Sequence, residues 1–188
     1  EKILVVTRLG KAIAFSEKDV RSMGRNAGGV RAISLEKNDE VVSMELDSEG
    51  KRKVLVVTEK GFGKRTPLDE YRLQARGGKG VATYDKTKFS KTGNLVGATL
   101  VSEDDELMII NSDGVIIRIR AGEVTKSGRT TQGVKIMKVE SGKRIVSFAK
   151  VVDEENATKP SDPKKLAKEA KAENPNIGED GNEQMTLL

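Results

Sequence analysis

The run Val54-Leu55-Val56-Val57-Thr58 leads into Gly61, and nineteen residues past that glycine stands Gly80-Val81. Both features recur. Ile3-Leu4-Val5-Val6-Thr7 precedes Gly10, with Gly29-Val30 at the same interval, and Leu107-Met108-Ile109-Ile110-Asn111 precedes Gly114, again with Gly133-Val134. An acid–apolar pair lies midway each time: Asp19-Val20, Glu70-Tyr71 and Glu123-Val124. An arginine sits four residues before each second glycine: Arg25, Arg76 and Arg129. A fixed period of this size marks one structural unit repeated, here with spacings of 51 and then 53 residues.

Each unit holds four short runs rich in Val and Ile, bounded by Gly, Asp, Asn and Ser, which is strand composition. The expected runs are 3–7, 11–15, 29–35 and 39–46; then 53–58, 62–66, 80–84 and 94–102; then 106–111, 115–120, 133–139 and 143–152. Four strands per repeat predict an all-β fold of propeller-like blades, in which neighbours cover each other's faces. The expected organisation is a blade over 1–52, a second over 53–103, a third over 104–152, and a tail over 153–188. Three blades make an incomplete ring, so further repeats are expected before Glu1, and the chain reads as a piece of a longer protein.

The tail carries Pro160, Pro163 and Pro175 and holds nine acids against five lysines. It reads as acidic and largely disordered, with a marginal helix possible over 164–172. The net charge is +5, so the positive charge sits on the β-rich body, which predicts a polyanionic partner. Cysteine and histidine are absent, which excludes disulfides, thiolate chemistry, the usual zinc sites and histidine acid–base catalysis. No apolar run is long enough to cross a membrane as a helix, and no partner membrane is expected. Six aromatic residues give little support for base stacking on single strands.

The most loaded loop is Gln74-Ala75-Arg76-Gly77-Gly78-Lys79-Gly80, with three glycines and two cations. Bare backbone N–H groups flanked by cations suit a phosphate. Equivalent loops of like blades share one rim, which would carry Arg25, Arg76 and Arg129, with Arg21, Arg31, Arg72, Lys79, Lys126 and Lys135 nearby. The second strands add Lys64 and Arg65, then Arg118 and Arg120. Such a belt would meet successive phosphates of a duplex regardless of sequence. The repeated arginine has a second reading: it could bond carbonyls of the neighbouring blade. Gly78-Lys79 is followed by Gly80 and a β run, so the context is not a P-loop. Tyr71 and Tyr84 lack an activating constellation, and Glu103-Asp104-Asp105-Glu106 reads as an exposed acidic turn.

Gln74-Ala75-Arg76-Gly77-Gly78-Lys79-Gly80 closely resembles the gyrase A box, Q-[RK]-R-G-G-[RK]-G. The stretch from Gly61 to Arg72 also resembles the C-terminal domain of the DNA gyrase A protein. Weaker copies stand at 24–29 and 128–133. The resemblance, over residues 1 to about 152, implies a six-bladed β-pinwheel, of which these would be the last three blades. It implies duplex DNA wrapped on a basic perimeter with positive handedness, so that ATP-driven strand passage by a type IIA topoisomerase introduces negative supercoils. Gln74, Arg76, Gly77, Gly78, Lys79 and Gly80 match the box, while Ala75 stands where the box has a cation. No catalytic residue, ATP or magnesium site is implied in this segment; those lie elsewhere in an A2B2 assembly with the gyrase B protein and a second gyrase A protein. A cytoplasmic, nucleoid-associated location follows from the same resemblance. The alternatives are the corresponding domain of topoisomerase IV and a propeller-like scaffold for protein partners.

Overall fold

The computed structural model describes residues 1–48 and 52–151. The expectations for the tail over 153–188 lie outside the described residues.

Each unit begins with the same hairpin. The first pairs β1 (Lys2–Thr7) with β2 (Lys11–Ser16), the second β4 (Lys53–Thr58) with β5 (Phe62–Pro67), the third β8 (Glu106–Asn111) with β9 (Ile116–Arg120). The residue three before the leading glycine closes each turn. Thr7 O accepts Gly10 N at 3.1 Å and its hydroxyl accepts Lys11 N at 3.2 Å. Thr58 serves Gly61 N and Phe62 N in the same way, and the Asn111 side chain serves Val115 N. Gly10, Gly61 and Gly114 all have φ near +80°, a region open to glycine and closed to most side chains.

A further strand flanks each hairpin on the first-strand side: β3 (Val41–Asp47), β7 (Leu95–Val101) and β11 (Ile145–Lys150). The fourth position is filled by exchange. β6 (Val81–Ala82) belongs to the second repeat in sequence but pairs with β2 of the first, and β10 (Val134–Lys135) of the third pairs with β5 of the second. The sheets therefore read β3-β1-β2-β6, β10-β5-β4-β7 and β11-β8-β9.

This corrects one expectation. The third run of each unit is not a strand of its own blade. It shrinks to two residues where a preceding sheet offers an edge, and residues 29–35 form no strand among the described residues. A strand exists only where hydrogen-bonding partners do, and among the described residues no sheet pairs with residues 29–35.

The core lies between blades. Leu4, Val6, Ala12 and Ala14 of the first blade pack with Val54, Val56, Tyr71, Tyr84 and Leu100 of the second. Leu55 and Val57, on the other face of β4, pack with Leu107, Ile109, Val124 and Met137 of the third. Successive residues of β4 thus serve opposite interfaces, which explains its unbroken apolar sequence. A buried hydrogen bond, Tyr71 Oη to Thr83 Oγ1 at 2.5 Å, stitches the second unit's loop to its own β6 end.

Candidate nucleic-acid interface

The box loop lies along the outer edge of the first blade. Gln74 N donates to Ala14 O at 2.8 Å, and Gly77 N to Ala32 O at 2.7 Å; Ser34 N returns a bond to Gly78 O at 2.9 Å. Gly80 has φ +66°, and a Cβ there would fall 2.9 Å from the Ala12 carbonyl carbon and closer still to its oxygen. The third unit repeats this. Ser127 N donates to Arg65 O at 2.9 Å, and a Cβ on Gly133 would fall 2.9 Å from the Gly63 carbonyl carbon. Gly77 and Gly80 are therefore glycine because the loop turns with positive φ and backs directly onto the neighbouring strand. The expected phosphate cradle of free N–H groups is reduced, since those of Gln74 and Gly77 are spent on the preceding unit. Gln74 is half-buried, and its side-chain nitrogen is buried with no hydrogen-bond partner among the described residues.

The repeated arginine plays one role at both internal junctions. Arg76 donates from Nε to Asp19 O at 2.9 Å and from a terminal nitrogen to Arg31 O at 3.4 Å. Arg129 donates to Ala82 O at 2.9 Å. Arg31 and Ala82 hold equivalent places, so the guanidinium ties each loop to the loop before it. This matches the second sequence reading. Arg76 remains exposed on its other side, Arg129 is half-buried, and Arg25 is exposed with no hydrogen bond or ion pair among the described residues.

The second-strand cations depart most from expectation. Lys64 is fully buried (0% exposed), not on the rim. Its ammonium donates to Gly128 O at 2.8 Å and to Arg129 O, and lies 5.2 Å from the centre of the Tyr84 ring. Burial pushes its pKa down to about 7, with Arg129 acting in the same sense and Glu70 and Asp85 opposing. Arg65 is buried as well, donating to Val124 O at 2.6 Å and Gly122 O at 2.8 Å. Both cations satisfy carbonyls of the next unit's loop, so a duplex outside would not meet them. Arg118 is exposed and paired with Glu106, and Arg120 is exposed.

What remains for a polyanion is a chain of exposed cations. Arg21, Arg25, Arg31, Arg72, Arg76, Lys79, Lys126 and Lys135 are all exposed. The loops carrying them touch in sequence: the first joins the second through Gly77 N to Ala32 O, and the second joins the third through Arg129 to Ala82 O and Tyr84 Oη to Gln132 O. They form one continuous edge. A cluster that sequence reading missed lies beside it. Lys91 and Lys135 stand 5.8 and 5.4 Å from the Phe62 ring centre, and with Lys60 and Lys143 they line a cavity of about 390 Å³. Lys91 falls in the insertion Asp85–Gly93, which by its residues is a plain polar loop. The spread of four lysines across two repeats hides the cluster.

A family model described as "DNA gyrase C-terminal domain, beta-propeller" matches residues 1–46, 52–102 and 105–151, once per repeat. The chain belongs to that family. Among its relatives, the DNA gyrase A protein of Staphylococcus epidermidis is 45% identical over 157 residues, 83% of this chain and 17% of that protein. The DNA gyrase A protein of Staphylococcus aureus strain MRSA252 is 38% identical over 188 residues, covering 98% of the chain and 19% of the relative. The chain thus spans about a fifth of the length of the curated relatives it matches. A solved DNA gyrase A C-terminal domain is similar with a TM-score of 0.74 at 30% identity, over 81% of this chain and 51% of that one. A solved C-terminal domain of DNA topoisomerase IV gives 0.76 at 25% identity, over 92% and 51%. Membership of the gyrase family fits the all-β architecture of exchanged four-stranded sheets.

Proposed function

We propose that this gyrase-family chain binds and bends duplex DNA through its phosphates, as the wrapping domain of a DNA gyrase A protein. The observation that carries the reading is the continuous edge of box loops. Each loop fixes the next by backbone and arginine bonds, and each presents exposed cations outward. A rigid basic edge can neutralise successive phosphates and offset the cost of bending. Nothing in this arrangement reads bases, so binding is sequence-blind.

In the whole enzyme, an ATP-hydrolysing type IIA topoisomerase of A2B2 composition in the bacterial cytoplasm, the wrapped segment would be presented for strand passage. The nucleotide and its magnesium would be held by other parts of that assembly. Residues 74–80 do not fit a nucleotide phosphate, because Gln74 N and Gly77 N already donate to carbonyls and Gly80 lies against Ala12. Among the described residues no group of three or more acidic side chains is placed to hold a metal.

The test is equilibrium binding to a random-sequence duplex across a salt series. A steep loss of affinity with salt is expected, and a flat dependence would refute phosphate binding. Ligation of nicked circles with the protein bound separates the alternatives. A positive change in linking number is expected of a gyrase-type wrap; no change would favour the topoisomerase IV-type reading.

A further inference from the structure

The two internal junctions differ at the end where the hairpins turn. At the first, Lys11 stands opposite Ala82, and the ammoniums of Lys11 and Lys86 share the Glu36 carboxylate at 3.9 and 2.6 Å. The cations there are answered within the chain. At the second, Phe62 takes the place of Lys11, and Lys135 that of Ala82. Five residues before the following strand the first unit has Glu36; the second unit has Ser90, followed by Lys91. The change removes a carboxylate and brings in two ammoniums.

These ammoniums gather around one point. Lys91 and Lys135 lie 5.8 and 5.4 Å from the centre of the Phe62 ring, and neither makes a hydrogen bond or ion pair among the described residues. Lys60 gives one N–H to Ser90 O at 2.6 Å, which leaves two of its three donors. Lys143, held by Asp113, closes the far side of the same cavity of about 390 Å³. Glu140, the carboxylate in the wall, makes no ion pair among the described residues.

The lysines are carried on fixed segments. Lys91 lies on the helical turn Phe89–Thr92. The Phe89 ring stacks on Tyr84 with centres 5.9 Å apart, and Thr92 is buried. Gly93 N closes the turn on Phe89 O at 2.8 Å, and Lys60 N donates to Thr92 O at 2.9 Å. Lys135 is set opposite Phe62 by strand pairing. Like charges gathered in this way repel, and a ring face at an exposed site returns only a weak attraction. The complement is an anion from outside the chain.

We propose that this cavity binds a free oligophosphate, a compound carrying a di- or triphosphate group. A duplex backbone shares the phosphate chemistry, but each of its phosphates brings one charge and sits on a rod too broad to enter. Lysines from separate segments that converge on one small space suit adjacent phosphates of a single ligand, each taking charge-assisted hydrogen bonds. The volume lies at the small end of the range for ligand pockets, about 300–1,000 Å³. Phe62 and Val139 are the large apolar side chains of the wall, so the charged group is the part recognised. The site does not rest on the duplex-binding reading.

The experiment is isothermal titration calorimetry of the full chain with sodium tripolyphosphate, without DNA or magnesium, at low ionic strength. One site per chain is expected. Lys91→Ala and Lys135→Ala should each weaken it about tenfold, as expected for loss of a hydrogen bond to a charged group. Both side chains are exposed and hold no other group in place, so far-UV circular dichroism should not change. Lys37→Ala, at an exposed lysine of the first unit, should leave the affinity as it was. No binding, or equal weakening by all three changes, overturns the proposal. A parallel titration with a random-sequence duplex separates the two sources of phosphate. If Lys91→Ala and Lys135→Ala weaken duplex binding while tripolyphosphate does not bind the parent, the cavity belongs to the duplex backbone and the free ligand is overturned.

Discussion

Gly80 lies against the Ala12 carbonyl with room for a hydrogen and nothing larger. That contact joins two repeats, and its position in the box shows that the box is a joint as much as a ligand surface. Gly80→Ala would force either a strained positive φ or separation of the strands. A loss of about 2–4 kcal/mol is expected, in the range of backbone strain added to a lost contact. Chemical denaturation of the parent and the variant measures it, and a loss below about 0.5 kcal/mol, the level of an ordinary surface change, would mean the loop is not sealed there.

Arg76 and Lys79 should separate cleanly. Lys79→Ala removes an exposed cation and should weaken duplex binding and reduce the salt slope by about one, with thermal stability unchanged. Arg76→Ala should lower thermal stability as well, because Asp19 O and Arg31 O lose their donor. Equal thermal effects of the two changes would contradict the geometry.

Lys64 makes stability depend on pH in a definite direction. Its folded pKa is about 7, well below the ordinary lysine value. Between those values the unfolded chain holds the proton more tightly, so this residue's contribution to stability rises as pH rises from about 7 towards 10. Below pH 7 both states are protonated and the full cost of burying the charge is present. Lys64→Met removes the titration, so the difference in unfolding free energy between parent and variant should change by up to about 1.4 kcal/mol per pH unit over that window. A difference independent of pH between 7 and 9 would rule out the lowered pKa of Lys64.

Tyr71→Phe should cost about 1–2 kcal/mol, because the buried Thr83 hydroxyl loses its partner. The companion change Tyr71→Phe with Thr83→Val should recover part of that loss in a double-mutant cycle. Strict additivity would show that the two groups do not interact.

Much of the hairpin framework is legible in the sequence because it is local. Thr58, Gly61 and the apolar run before them fix a turn and two strands without help from the rest of the chain. The third run of each repeat misleads because Val81 and Val134 take their partners from another repeat, which a local pattern cannot reveal. Lys64 and Arg65 resemble surface cations for a related reason. Their acceptors are main-chain carbonyls of residues 122–129, and carbonyl positions leave no trace in the sequence. The role of Arg129 is readable as one of two options, and the Ala82 carbonyl decides between them.

The exchange of β6 and β10 has a consequence for how such arrays change length. Cutting at a repeat boundary in the sequence severs a sheet, whereas removing one full period anywhere removes one donor and one acceptor together. The ends left behind are then the same kind of ends as before. An array joined in this way can gain or lose whole units by duplication or deletion without inventing a new joint, and only a break out of phase with the period is punished.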